Sequence, residues 1–218
     1  AKTSFTLKNM GLKKGDTVYD VGANIGYFSL EFARLIGKKG KAFCFEPHPE
    51  IYRVLESNIK RNNYNNVTIL PLACGEDVGK TKLYLSNENE GNHKIVNTPN
   101  MKTSVEVEIT TLDKFIKQYP PRIIKMDIEG AELLALKGVG DRIFRESNID
   151  FVIEYHPYEM SFFGIEGDIL LDFFSNHGYK FRNLAYANYP ILSKKEILSN
   201  YRKTDRALTN LFCSKLID

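Results

Sequence analysis

A Rossmann-like, doubly wound α/β fold on a mostly parallel sheet is what this sequence predicts, on three observations. The residues Asp20 to Phe28, D-V-G-A-N-I-G-Y-F, follow an apolar strand-like run and open an amphipathic stretch with helical spacing, which makes a strand, a glycine-bent turn and a helix start. Apolar runs of strand length alternate with helical stretches of about ten to fifteen residues, the mark of right-handed crossovers between parallel strands. Glu46 closes the second such run, 24 residues beyond Gly22, at the end of the strand where these sheets present ligand-binding groups.

Taken in order, Thr3 or Ser4 caps a short helix ending at Gly11, and G-L-K-K-G-D turns the chain into strand one, Thr17 to Val21. Phe28, Leu30, Phe32, Ala33, Leu35 and Ile36 give the next helix an apolar stripe, which stops near Gly37 and Gly40. Lys41 to Phe45 is strand two. Pro49 to Arg61 is a helix with Ile51, Val54, Leu55 and Ile59 on one face, and Val67 to Leu72 is strand three. Thr81 to Leu85 and Val105 to Thr110 alternate side chains around N-E-N-E-G-N-H, which predicts an inserted hairpin at about 81–110 with a long polar tip. A helix from Thr111 to Tyr119, begun by Thr-x-Asp, leads to strand four, Ile123 to Met126. D-I-E-G-A-E opens a helix ending at Gly138, and Phe151 to Ile153 is strand five, ending E-Y-H-P. Ile169, Leu170, Phe173 and Phe174 mark a helix closed by Gly178, and strands follow at Tyr179 to Leu184 and Asn210 to Ser214. The loop between those two strands carries no strong helical pattern, so they are expected to pair antiparallel at the sheet edge.

A length of 218 residues suits one such domain with some elaboration. Charged residues at 26% against 43% hydrophobic are ordinary globular usage, and a net charge of +3 with no long basic stripe argues against a nucleic-acid partner. Cys44, Cys74 and Cys213 fall in or beside strands, form no C-x-x-C or Cys/His cluster, and read as small hydrophobes of a reducing, cytoplasmic setting. No apolar run approaches bilayer-spanning length and the first residues carry no signal-peptide core, so no membrane partner is expected.

Gly22 and Gly26, lacking a Cβ, let backbone N–H groups and the positive end of the following helix approach a polar ligand. A dinucleotide fingerprint wants glycine at three positions; here the second and third are Asn24 and Tyr27, which disfavours pyrophosphate. Nor is there a G-K-[ST] ending, since Tyr27 and Phe28 follow Gly26. Two glycines and an asparagine suit a phosphate-free cofactor such as S-adenosyl-L-methionine.

Several acids surround that loop in the predicted fold. Glu46 either accepts two hydrogen bonds from a ribose diol or caps the helix that begins after Pro47. Glu76, after strand three, either accepts from an adenine amino group or is a surface turn acid. Asp20 is placed to stabilise the ammonium or sulfonium of a methionine-like moiety and to brace the glycine loop. Asn24 takes a positive-φ or loop-bracing position, with a cofactor carboxylate as a further contact. A second constellation, Asp127, Glu129 and Glu132 with Glu154 and His156, falls at or just beyond the carboxyl ends of strands four and five, so that cofactor and carboxylates share one cleft. Glu132, one helical turn after Glu129, reads as a surface acid favoured by the helix dipole. His156 is either a packed loop histidine or a base titrating near several acids.

Five blocks in order from about Thr17 to Pro157, D-V-G-A-N-I-G-Y-F-S, F-E-P-H-P, L-A-C-G-E, K-M-D-I-E-G-A-E and I-E-Y-H-P, resemble the FkbM-type methyltransferases of the class I S-adenosylmethionine-dependent superfamily. The resemblance implies a seven-stranded sheet in the order 3-2-1-4-5-7-6 with strand seven antiparallel. It also implies cofactor contacts at Asp20, Gly22, Asn24, Gly26, Glu46 and Asp127. The wider superfamily often has an acid at the end of strand three, where this chain has Leu72, so adenine contact falls to the Ala73 backbone or Glu76.

D-I-E-G after strand four differs from the N-P-P-Y or D-P-P-Y motif of base amino-methylation, and no cysteine lies near strands four or five for carbon-five pyrimidine chemistry. Oxygen or a small-molecule amine remains as acceptor, and the family resemblance implies a sugar or natural-product hydroxyl. In-line displacement on a hydroxyl needs a proton acceptor, here His156 or Glu129, with Asp127 orienting the acceptor or facing the sulfonium. Mg²⁺ acting on a diol through the grouped carboxylates is another route, for which the spacing assigns no ligands. Asn87 to Asn100 and Ala185 to Thr204 are expected to select the acceptor, with Tyr186, Tyr189 and Tyr201 as stacking groups. Two rival readings stand beside this one: an NAD-dependent oxidoreductase, whose ribose Glu46 would equally serve, and a non-catalytic S-adenosylmethionine-binding module.

Overall fold

The strand runs fold into one sheet of eight strands and a second of three, in a computed structural model that describes residues 10–86, 93–98, 101–186 and 188–216. The helix expected from Thr3 or Ser4 and the polar segment 87–92 lie outside the described residues. Strand β1 (Thr17–Val21) is central, running parallel to β2 (Lys41–Phe45) on one side and to β7 (Ile123–Met126) on the other. Beyond β2 lies β3 (Val67–Leu70), and beyond β7 lies β8 (Asp150–Tyr155), both parallel to their neighbours. Next comes β11 (Thr209–Ser214), antiparallel to β8 and to β9 (Lys180–Asn183). The antiparallel pairing expected of the last two long strands is thus present. A short edge strand, β10 (Ile191–Leu192), adds to β9, so the order is β10-β9-β11-β8-β7-β1-β2-β3 and the strands number eight rather than the expected seven.

Alternation along the strands sorts the core onto two faces. Val18, Ala42, Cys44, Ile123 and Val152 face helices α1 (Tyr27–Ile36) and α2 (Pro49–Arg61), where Phe32, Ile36, Leu55 and Ile59 close the layer. Tyr19, Phe43, Ile124, Phe151 and their neighbours on the opposite side meet α3 (Asp113–Gln118), α4 (Glu132–Lys137) and α5 (Asp141–Glu146). The same layer takes in α6 (Pro157–Met160), α7 (Gly167–Asn176) and α8 (Lys194–Asn200). Burying any one of these large side chains is worth about 1.5–3 kcal/mol. Two residues assigned to apolar stripes face water instead. Val54 is 46% exposed because the buried stripe of α2 runs Ile51, Leu55, Ile59 in steps of four, and Ile169 is 48% exposed beside the buried Leu170 and Leu171.

The third expected strand divides at Pro71, which has no N–H to give the ladder. Val67–Leu70 stays in the main sheet, while Leu72–Cys74 becomes β4 of the second. There β4 pairs parallel with β6 (Met101–Thr110), which pairs antiparallel with β5 (Gly79–Ser86), so the expected hairpin is longer than predicted and is joined by a third strand. On the free edge of β5, Lys94 makes a two-way bridge with Tyr84. The excursion after β9 does contain a helix, α8, begun by a capping box in which Ser193 and Glu196 each satisfy the other's backbone N–H. Cys44, Cys74 and Cys213 are buried free thiols, one in β2, one in β4 and one in β11. Among the described residues no helix is long and apolar enough to cross a membrane.

Candidate cofactor site and acid cluster

The bend after β1 is dense before any ligand is considered. Gly22 takes φ +77° and Gly26 φ +94°; a Cβ on Gly22 would stand 2.0 Å from the Asp127 carbonyl oxygen, and one on Gly26 2.6 Å from Leu55 Cδ1. Asn24, between them, also has positive φ (49°) and braces the bend, its Oδ1 accepting from the Ile25 N–H at 2.6 Å. The Asn24 N–H donates to Glu46 Oε2 at 2.9 Å, and the His48 N–H donates to Glu46 Oε1 at 2.9 Å. His48, not Glu46, caps α2: its Nδ1 accepts from the N–H groups of Glu50 and Ile51. Burial raises the pKa of Glu46, opposed by those two backbone donors. Each of its oxygens keeps a lone pair for a further donor.

Glu46 stands in a cleft enclosing about 630 Å³, its solvent-open part included. Gly22, Asn24, Glu46, Asp127 and Glu129 supply the polar lining; Ile51, Leu72, Ala73, Leu83 and Ile95 supply much of the apolar lining, with His93 beside them. No described lysine or arginine lines the cleft. That donor set fits a cationic, phosphate-free cofactor with a flat apolar base, and it offers nothing to a pyrophosphate.

Asp20, Gly26, Glu76, Glu132, Glu154 and His156 lie outside the lining. Gly26 packs under α2. Glu76 is exposed and pairs with Lys137 at 3.4 Å. Asp20 is buried behind the bend, accepting from Ser29 Oγ–H at 2.6 Å and lying 3.4 Å from Lys125 Nζ. Burial raises the pKa of Asp20, against Lys125 and Ser29. Sequence reasoning missed Lys125. It is buried, 3.4 Å from Asp127 as well as from Asp20, donates to the Gly22 carbonyl at 3.3 Å, and lies over the Phe28 ring. The signal was present in I-I-K-M: a lysine inside a four-residue buried strand is tolerated only where acids meet it.

The acids at the ends of β7 and β8 do converge, and Asp127, Glu129 and Glu154 each bring an oxygen within 4.8 Å of the others. Glu129 holds left-handed backbone (φ 56°) in the D-I-E-G turn. Burial, then the charge of Asp127, pushes the Glu129 carboxyl up to about 8. Burial, then Asp127 and Glu129, pushes Glu154 to about 9. Glu132 is not the surface acid expected. It is buried, its Oε1 accepts from the Ile128 N–H at 2.9 Å to tie the D-I-E-G turn to α4, and burial lifts its carboxyl to about 7.

His156, also outside the lining, is half-buried beyond β8. Its Nε2 is buried without a hydrogen-bond partner, and burial lowers its pKa. Nearby, the buried Lys94 of the inserted segment forms an ion pair with buried Glu159 of α6. Of the three tyrosines assigned to stacking, Tyr201 is buried and its hydroxyl accepts from Asn183 Nδ2 at 2.6 Å, so its ring belongs to the core; Tyr186 is exposed, and Tyr189 has φ 45° in the loop after β9.

The family described as Methyltransferase FkbM domain matches residues 20–181, which covers the glycine bend, Glu46, the acid cluster and His156. The chain belongs to this family. Its relatives include Methyltransferase sdnD of Sordaria araneosa, 29% identical over 157 residues (57% of this chain, 60% of that protein). Hexuronic acid methyltransferase AglP of Haloferax volcanii is 27% identical over 147 residues, 65% of this chain and 56% of that protein. The matches thus span about 60% or less of these relatives' length. A crystal structure of Methyltransferase FkbM from Methylobacillus flagellatus superposes with a TM-score of 0.57 at 20% identity, covering 91% of this chain and 43% of that one, and shares the fold. S-adenosylmethionine is the cofactor of this FkbM domain.

Proposed function

We propose that the chain is an S-adenosylmethionine-dependent methyltransferase that O-methylates a hydroxyl of a sugar or natural-product small molecule. One observation carries the cofactor side: a cleft at the strand ends with an apolar end, three lining acids and no lining cation among the described residues. The hydroxyl of a sugar-like acceptor is supported by the hexuronic acid methyltransferase among the relatives and by the acid cluster beside the cleft.

S-adenosylmethionine, when bound, supplies a methyl group on a positively charged sulfur. Glu46 accepts from the ribose hydroxyls with the lone pairs its two backbone donors leave free, and the Ala73 backbone meets the base. Gly22 and Asn24 present the bend to the amino-acid tail. Asp20 and Lys125 act from behind, holding the bend and Asp127 in place. Asp127, which lines the cleft at the end of β7, would lie beside the positively charged sulfur and orient donor and acceptor. Glu129 takes the acceptor's proton as the C–O bond forms, its raised pKa making it a stronger base than an ordinary carboxylate. His156 is the second reading for that step, favoured by its unpartnered Nε2.

Calorimetry with S-adenosylhomocysteine and with NAD tests the cofactor assignment. S-adenosylhomocysteine is expected to bind and NAD to give no heat; the reverse overturns the reading. Turnover is then sought across a hydroxyl library, where Asp127→Asn is expected to slow the reaction. Binding without turnover anywhere in such a library would make the chain a binding module.

A further inference from the structure

The inserted sheet supplies one side of the cleft, and it does so from a segment that the glycine bend and strand ends do not explain. Leu83 of β5, then His93 and Ile95, line the cleft together with Leu72 and Ala73 of β4, and Leu83 and Ile95 pack in one apolar cluster with Ala73. His93 stacks on His48, the cap of α2, with ring centroids 4.4 Å apart and planes 21° from parallel. Between the two lining residues, Lys94 turns the other way. Its backbone is bonded in both directions to Tyr84, and its ammonium is buried against the Glu159 carboxylate and beside the Phe162 ring. A lysine buried to this degree is stable only with its counter-charge, so the pair ties residues 93–95 to α6.

Glu46 sets the direction of the cofactor. With the ribose held at the end of β2, the amino-acid tail would lie toward Gly22 and Asp127, and the base toward Leu72 and Ala73, beside which Leu83 and Ile95 pack. We infer that residues 93–95 form the outer wall of the adenine subsite, with His93 and Ile95 touching the base and Lys94 a positioning residue that holds them there through Glu159. This inference rests on the cofactor reading above. It assigns cofactor contact to a polar insertion that the sequence suggested was for choosing acceptors.

The experiment measures affinity and dissociation rate for S-adenosylhomocysteine and for 5′-methylthioadenosine, which keeps the adenine and ribose but lacks the amino-acid tail. Wild type that binds neither overturns the cofactor reading itself and is the control that separates the two failures. Given wild-type binding, Lys94→Met is expected to weaken both probes by the same factor, about tenfold or about 1.4 kcal/mol, chiefly through faster release. Lys94→Arg, which keeps the charge, is expected to recover most of that loss. Wild-type affinity in Lys94→Met, or a loss confined to S-adenosylhomocysteine, overturns the inference. Should Lys94→Met fail to fold, Ile95→Ala is judged by the same two outcomes, since it trims the wall and leaves the ion pair intact.

Discussion

Lys125 shares its strand with two isoleucines and a methionine, yet it stays charged. Burial lowers its pKa, and the carboxylates of Asp127 and Asp20 outweigh that and raise it. Lys125→Met therefore leaves Asp20 enclosed without a counter-charge, and a loss of about 3–5 kcal/mol is expected, read as a fall in the denaturant midpoint, with Lys125→Arg milder. Glu129 carries the other prediction at this scale. If its ionised form takes the acceptor's proton, the rate rises with pH and levels above about 8, and Glu129→Gln removes that limb and lowers kcat by about 10²–10⁴-fold. A limb centred below the ordinary histidine value of 6.5 that vanishes in His156→Ala moves the role to His156, whose pKa burial has lowered.

Helix α8 shows how an element stands or falls on its first turn. With seven residues it is too short to persist on propensity, so its capping box and the buried Ile197 hold it. Ser193→Ala is expected to cost about 1 kcal/mol in thermal unfolding, with the main sheet unaltered. The S-x-x-E pattern was legible, but the polar residues around it masked the helix because a single apolar anchor makes no stripe. β1, β2, α2 and β7 were legible to the residue, since buried parallel strands and a Pro-started amphipathic helix leave strong local marks. The break at Pro71 was visible as a missing donor, but the sheet that Leu72–Cys74 joins depends on pairing with β6, more than thirty residues away, which no local pattern encodes. The site divides in the same way. The bend, Glu46 and the strand-end acids followed from position along strands, whereas Lys94–Glu159 and the burial of Glu132 are products of tertiary approach.

Across the whole molecule, acids raised by burial set the pH dependence of folding. Glu132, Glu129 and Glu154 hold protons in the folded chain up to about 7, 8 and 9, while the unfolded chain releases them near 4.5. Between those limits the folded state binds more protons, so stability falls as pH rises. The thermal midpoint is therefore expected to decline from about pH 5 to about pH 9, and Glu154→Gln to flatten that slope; an unchanged slope in the variant would show that the cluster does not control it. The three buried thiols turn the same architecture into a set of separate gauges. Burial raises the pKa of each, so an alkylating reagent meets Cys44 only when the central sheet parts and Cys213 when the antiparallel strands separate, whereas Cys74 lines the cleft and is met from there. Mass spectrometry of the labelled peptides would rank the three sites, and a cofactor held in the cleft would slow the labelling of Cys74 most.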